Sequence, residues 1–198
     1  MTTLLLWRHG QTASNVESRI QGQLDVPLTD VGRRQAAEAA LRLAGRSPEI
    51  IVSSDLQRAA HTAAALAEVT GLPVATDVRL RERHYGEWQG HTGAELRERW
   101  PAGFARWRQG QDVDEAGVES IDDLTKRVAT ALREIVDRES GRTIVIVTHG
   151  GAARRGIGSL LGWPEPIVRS LGELGNCHFS ELRHHPEAGW RLVAHNVG

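Results

Sequence analysis

Short apolar runs alternate along this chain with segments whose apolar residues recur every three or four positions. The runs Thr3–Trp7, Ile50–Ser53 and Thr143–Val147 read as buried strands, and a later pair is expected near His178–Leu182 and Arg191–Ala194. Val74–Asp77 adds a short edge strand. Thr29 is placed to cap a helix reaching Ala44, with Gly45 as its stop, and a second helix runs from Asp55 to Val69 and stops at Gly71. Ser120-Ile121-Asp122-Asp123 resembles a capping box. Behind it, Ile121, Leu124, Val128, Leu132 and Ile135 recur at helical spacing and define one buried face. This alternation predicts an α/β fold in which helices cover both faces of a mainly parallel sheet. No repeat, linker or low-complexity segment interrupts it, so residues 1–198 are expected to form a single domain.

Composition narrows the function classes. Of the 198 residues, 40% are hydrophobic and 25% charged, the balance of a globular chain with a core. The formal net charge of −1 gives no global field for nucleic acid or acidic membranes, so neither is an expected partner and any anion site must be built locally. A single cysteine, Cys177, excludes an intrachain disulfide and a cysteine metal cluster, and its place at the start of a strand suggests a buried structural thiol. Lys126 is the only lysine. The arginine bias fits a GC-rich genome, and arginine also suits bidentate phosphate binding. Met1–Trp7 lacks the charged and apolar regions of a secretion signal, and no apolar run nears the ~20 residues needed to span a bilayer. The expected compartment is the cytoplasm.

The candidate chemistry lies at strand ends, where open α/β sheets bind ligands. Arg8-His9-Gly10-Gln11-Thr12 follows the first strand. Thr148-His149-Gly150-Gly151 follows the run Ile144–Val147 and opens a helical pattern, and its glycines let backbone N–H groups approach an anion. Ile50–Ser53 leads into Ser54-Asp55-Leu56-Gln57-Arg58, placing another arginine on the first turn of a helix. Singly, these residues are better explained by a loop arginine, a structural histidine or a solvated helix position. Three strand ends that offer Arg8, His9, Arg58 and His149 together favour a site.

Arg8-His9-Gly10-x-Thr12, Asn15, Ser54-Asp55-x-x-Arg58, Leu80-Arg81-Glu82 and Thr148-His149-Gly150 resemble, in order and spacing, the histidine phosphatase (phosphoglycerate mutase-like) superfamily, from Leu4 to about Gly162. The resemblance implies a three-layer α/β sandwich around a six-stranded, mostly parallel sheet, no metal and no cofactor. It also implies a phosphohistidine intermediate on His9, whose other ring nitrogen is held by the Gly10 carbonyl. Arg8, Arg58, Asn15 and His149 would surround the phosphoryl oxygens, with Gly150 beside them. Glu82 would protonate the leaving alkoxide and then deprotonate the water that hydrolyses phosphohistidine. Gln21-Gly22 occupies the loop where relatives contact the rest of the substrate, although an ordinary polar turn explains it equally well. Tyr85 is assigned to substrate contact, against a purely covering role at the rim. His184-His185, with no third ligand or neighbouring carboxylate, reads as a solvated loop. Trp100, Trp107 and Trp163 read as packing residues in helical segments near prolines.

Departures from the mutase branch favour hydrolysis. Glu82–Gly86 resembles the mutase wording, but Gly93 stands where mutases carry a lysine, Trp107-Arg108 is followed by Gln109 where mutases carry an arginine pair after tryptophan, and a long basic insertion is missing before Gly117. Arg108 remains as the rim cation. The segments Arg8–Thr12, Gln21–Asp25 and Val52–Leu56 look most like actinobacterial glucosyl-3-phosphoglycerate phosphatases, and alpha-ribazole phosphatases share the general pattern. The expected ligand is therefore a small phosphorylated acid or sugar conjugate, with glucosyl-3-phosphoglycerate first. A cofactor-dependent phosphoglycerate mutase and a non-catalytic phospho-ligand binder stay open. The general acid Glu82 argues against the binder. A homodimer is compatible with the sequence.

Overall fold

Both faces of the central strands are apolar, and the computed structural model, which describes residues 1–198, buries both. The strands are β1 (Thr2–Arg8), β2 (Ile50–Ser53), β3 (Val74–Thr76), β4 (Thr143–Thr148), β5 (Phe179–His185) and β6 (Gly189–Val197). They form one six-stranded sheet in the order β3-β2-β4-β1-β5-β6, with β3, β2, β4 and β1 parallel and β5 antiparallel to both β1 and β6. The helices are α1 (Ala13–Val16), α2 (Asp30–Ala44), α3 (Gln57–Thr70), α4 (Gly93–Arg99), α5 (Pro101–Arg108), α6 (Ile121–Arg138), α7 (Gly150–Leu161) and α8 (Glu165–Ser170). None is long and apolar enough to cross a membrane.

The period of two in the strands divides the core into two layers. Leu4 and Leu6 of β1 with Ile144 and Ile146 of β4 meet Leu124, Val128, Leu132 and Ile135 of α6, together with α7. Leu5, Trp7, Val145 and Val147 point the other way, onto the alanine-rich faces of α2 and α3. A third, smaller cluster of Trp88, Leu96, Phe104 and Val113 lies in residues 86–118, with Trp100 and Trp107 packed against it. The strand and helix positions agree with the sequence reading to within a few residues.

Four local readings change. The second helix starts at Gln57, not Asp55, because its first N–H is capped from a distant loop: Gln57 N donates to Asp25 Oδ1 at 2.8 Å, while the Asp55 carboxylate turns to Arg81. Only half a capping box forms at α6. Ser120 Oγ accepts from Asp123 N but also donates to the Asp123 carboxylate, which leaves the reciprocal bond unmade. His184 and His185 are not in a loop. They end β5, paired with Trp190 and Gly189 of β6, and the His184 ring lies 5.0 Å from that of Trp190. Of Trp100, Trp107 and Trp163, only Trp107 lies within a helix, whereas Trp100 falls between α4 and α5 and Trp163 between α7 and α8, where it packs on the α6–α7 core.

Candidate active site

Strand register places the motif residues side by side. Arg8 of β1 pairs with Thr148 of β4, and Ser53 of β2 with Val147, so the chain leaves three adjacent strands at His9, His149 and Ser54. The two imidazole rings come to 5.1 Å, and His149 Nε2 lies 2.9 Å from Ser54 Oγ. His9 is 3% exposed and His149 fully buried behind it.

The state of His9 follows from its partners. Its Nδ1 is 2.8 Å from the Gly10 carbonyl oxygen, which can only accept, so Nδ1 carries the proton. Nε2 is left with its lone pair, toward which Arg58 Nε donates at 3.3 Å. The rest of the Arg58 guanidinium is held by the Leu24 and Gly22 carbonyls, both at 2.7 Å. Burial, then the charges of Arg58 and Arg8, hold His9 well below the ordinary 6.5. Burial and the Arg58 charge do the same to His149. Burial also lowers Arg58 to about 10, which leaves it cationic at neutral pH. Two neutral imidazoles and two guanidinium cations therefore face one another, an arrangement suited to an anion.

A cavity of about 480 Å³ opens over these groups, lined by Arg8, His9, Asn15, Gln21, Gly22, Arg58, Glu82, Tyr85 and Gly150 of the residues expected from the sequence. Asn15 closes the capping box of α1, with Thr12 N donating to its Oδ1 at 3.0 Å. Its side-chain N–H groups are thereby left as donors. Gln21 Oε1 accepts from Thr12 Oγ1 at 2.8 Å. Tyr85 packs edge-on to Trp107. Burial, then the Glu82 charge, raises its phenol, so it stays protonated and can donate.

Glu82 reaches the cavity from a loop and docks on the first turn of α7. Its Oε2 accepts from Gly151 N at 2.8 Å, and its Oε1 from Ala152 N at 3.1 Å and Arg83 N at 2.8 Å. Gly151 makes the approach possible, because a Cβ there would stand 2.5 Å from Oε1. Arg127 of α6 holds the loop from behind, donating to the carbonyls of Arg79, Arg81 and Glu82 while paired with Glu119.

Two placements differ from expectation. His149 is not among the residues that line the cavity; its Nε2 is bonded to Ser54 Oγ, its ring lies 5.1 Å from that of His9, and its buried Nδ1 has no partner. Arg108 opens instead into a neighbouring recess. Sequence reasoning missed Arg154, Trp107 and Glu173, all of which line the cavity. Glu173, 76% exposed, pairs with Arg8 at 3.1 Å, while Arg8 Nε is buried without a partner. The helical spacing Gly150-x-x-x-Arg154 was the one available signal for Arg154.

The likenesses to known proteins agree with this geometry. Glucosyl-3-phosphoglycerate phosphatase of Mycolicibacterium vanbaalenii is 42% identical over 98% of this chain and 94% of its own. A probable phosphoglycerate mutase, GpmB, of Yersinia pestis is 35% identical over 96% of this chain and 88% of its own. The solved structure of a mycobacterial glucosyl-3-phosphoglycerate phosphatase with VO3 superposes with a TM-score of 0.90 at 42% identity, covering 99% of both chains. The family model of the histidine phosphatase superfamily (branch 1) matches residues 4–198. With His9, Arg58 and His149 gathered at adjacent strand ends and the family match running through nearly the whole chain, this protein belongs to the histidine phosphatase superfamily.

Proposed function

We propose that the protein is a phosphomonoesterase that works through phosphohistidine at His9, with glucosyl-3-phosphoglycerate as its first-candidate substrate. The observation that carries this reading is the fixed tautomer of His9: Nδ1–H is tied to Gly10, and the Nε2 lone pair lies in a cationic cavity. Nε2 attacks phosphorus as the ester P–O bond breaks, and Glu82 delivers a proton to the departing alkoxide. The carboxylate then takes a proton from water, whose oxygen attacks phosphorus and breaks the P–N bond to release orthophosphate. Arg8, Arg58 and Asn15 hold the phosphoryl oxygens, and His149 keeps His9 and Ser54 in place. The substrate assignment is supported by the glucosyl-3-phosphoglycerate phosphatases to which the chain is similar.

Substrate labelled in its phosphoryl group should leave acid-labile, base-stable label on His9, in chelator as well as in buffer. His9→Ala should abolish both label and turnover. Undiminished turnover in that variant would refute the mechanism. A second reading, phosphoglycerate mutase, is favoured by the similarity to GpmB and by the arginines near the cavity. Following orthophosphate and 2-phosphoglycerate together from 3-phosphoglycerate primed with 2,3-bisphosphoglycerate separates the two, because rapid 2-phosphoglycerate formation would identify a mutase.

A further inference from the structure

Asn15 lines the cavity, yet the way its amide is turned is set from outside it. Thr12 N can only donate, so the atom it meets at 3.0 Å is the Asn15 carbonyl oxygen, Oδ1. The Thr12 hydroxyl has a single proton, and Gln21 Oε1 at 2.8 Å is a nearer acceptor for it than Asn15 Oδ1 at 3.0 Å. That leaves Asn176 as the second donor to Asn15 Oδ1, with its Nδ2 3.3 Å away. The same Nδ2 donates at 3.0 Å to the His9 carbonyl, which can only accept, so the Asn176 amide is fixed as well. Asn176 does not itself line the cavity. The turn that presents it is anchored on both sides. Gly175 N donates to Asn196 Oδ1 at 2.8 Å, and the Gly172 carbonyl lies 2.9 Å from His195 Nε2, both partners being residues of β6. Cys177, at φ +56°, donates its N–H to the Arg8 and His9 carbonyls, while its own carbonyl accepts from the Trp7 indole at 3.1 Å. A conformation so uncommon outside glycine persists where its surroundings over-determine it, and here it sets Asn176 against the back of the site.

We propose that Asn176 is a positioning residue for phosphoryl binding: it holds Asn15 Oδ1 so that the Asn15 Nδ2 donors face the cavity, and it ties that orientation to the His9 peptide. The inference rests on the reading of the His9 cavity as a phosphoryl site. Without Asn176, the His9 carbonyl keeps Cys177 N as a donor, whereas Asn15 Oδ1 keeps Thr12 N as its one undivided partner. The loss therefore falls on Asn15, and through it on affinity for a phosphoryl-like anion, rather than on the nucleophile.

The test is a double-mutant cycle read by calorimetric titration with orthovanadate, which requires no turnover. Asn15→Ala should weaken vanadate binding about tenfold to a hundredfold, the range for one hydrogen bond to a charged group. Asn176→Ala should weaken it about threefold to tenfold in the wild-type background, as for one neutral hydrogen bond. In the Asn15→Ala background the same change should cost less than about twofold, because the group it acts through is gone. Asn176→Ser, whose side chain falls short of Asn15, should behave alike and takes over the cycle if Asn176→Ala does not fold. Equal losses in the two backgrounds would limit Asn176 to a structural part of its turn, and vanadate affinity unchanged in Asn15→Ala would remove Asn15 from the anion site. Either result overturns the proposal. Phosphate release from an aryl phosphate by the wild-type protein is measured alongside. Coupling without release would reject the phosphomonoesterase reading and keep Asn176 as the residue that positions Asn15, whereas release without coupling would keep the enzyme and reject Asn176.

Discussion

Burial disfavours the charged form of both His9 and Arg58, with different outcomes for function. In His9 it removes the proton and so supplies a nucleophile, while Arg58, lowered from 12.5 only to about 10, stays cationic at neutral pH. Glu82 depends instead on hydrogen bonding, with backbone N–H groups of Arg83, Gly151 and Ala152 fixing both of its oxygens beside the cavity. Glu82→Gln keeps the shape but removes the proton shuttle. It should slow substrates with poor leaving groups by about 10²–10⁴-fold, the usual contribution of general acid–base catalysis. An aryl phosphate with a good leaving group should lose much less in its first step. Steady-state and burst kinetics on both substrates check this, and equal losses would assign Glu82 to binding alone. His9 and Arg58 were legible both from their places after apolar strands and from the family resemblance, and Glu82 from the resemblance alone. Arg154 had only its helical spacing from Gly150 to mark it, and nothing in the local sequence of Glu173 distinguishes it from the other Glu residues.

Among the elements, α6 has a structural role and a second role at the site. One face carries Leu124, Val128, Leu132 and Ile135 into the core. From its flank, Arg127 ties down the carbonyls of Arg79, Arg81 and Glu82 and pairs with Glu119. Arg127→Met should cost about 1–3 kcal/mol of stability, because Glu119 and the carbonyls lose charged donors. Its sharper signature is kinetic: kcat should fall with KM little changed, since Glu82 loses its anchored approach while the phosphoryl contacts stay. Denaturant melts and steady-state kinetics measure the two effects. A fall in stability with unchanged kcat would limit Arg127 to a structural role. Helical periodicity made the core face of α6 readable, but the Arg127 contacts join α6 to residues 79–82, and no local pattern records such a meeting.

Across the whole molecule, protonation links the site to stability. His9 and His149 are neutral when folded but take up protons near the ordinary 6.5 when unfolded. The unfolded chain therefore binds more protons as pH falls, and stability present above 6.5 should be lost below it, by about 1.4 kcal/mol per histidine and pH unit until the folded-state pKa is reached. Asp55 and Asp77, held below 3.8 mainly by hydrogen bonds from Arg81 and Arg79, act only in a more acidic window. Thermal melts from pH 7 to pH 5 should show a decline in Tm that flattens in a His9→Gln, His149→Gln double variant. An unchanged slope in that variant would place the acid sensitivity elsewhere.

The sequence by itself determined the layered α/β plan, because period-two strands, amphipathic helices and their caps are written locally in the order of apolar and polar residues. It also determined which residues stand at the ends of the strands, since each motif directly follows its own apolar run. Only the tertiary structure decided how those ends are used. The register of β1 with β4 sets the 5.1 Å approach of the two histidines, and Asp25 caps α3 from a distant loop. The convergence of α5, α7 and α8 turns scattered arginines into one recess and sends Arg108 there rather than to the phosphoryl cavity. These outcomes depend on distances between segments far apart in the chain, which hydrophobic pattern constrains only through the packing of the complete core.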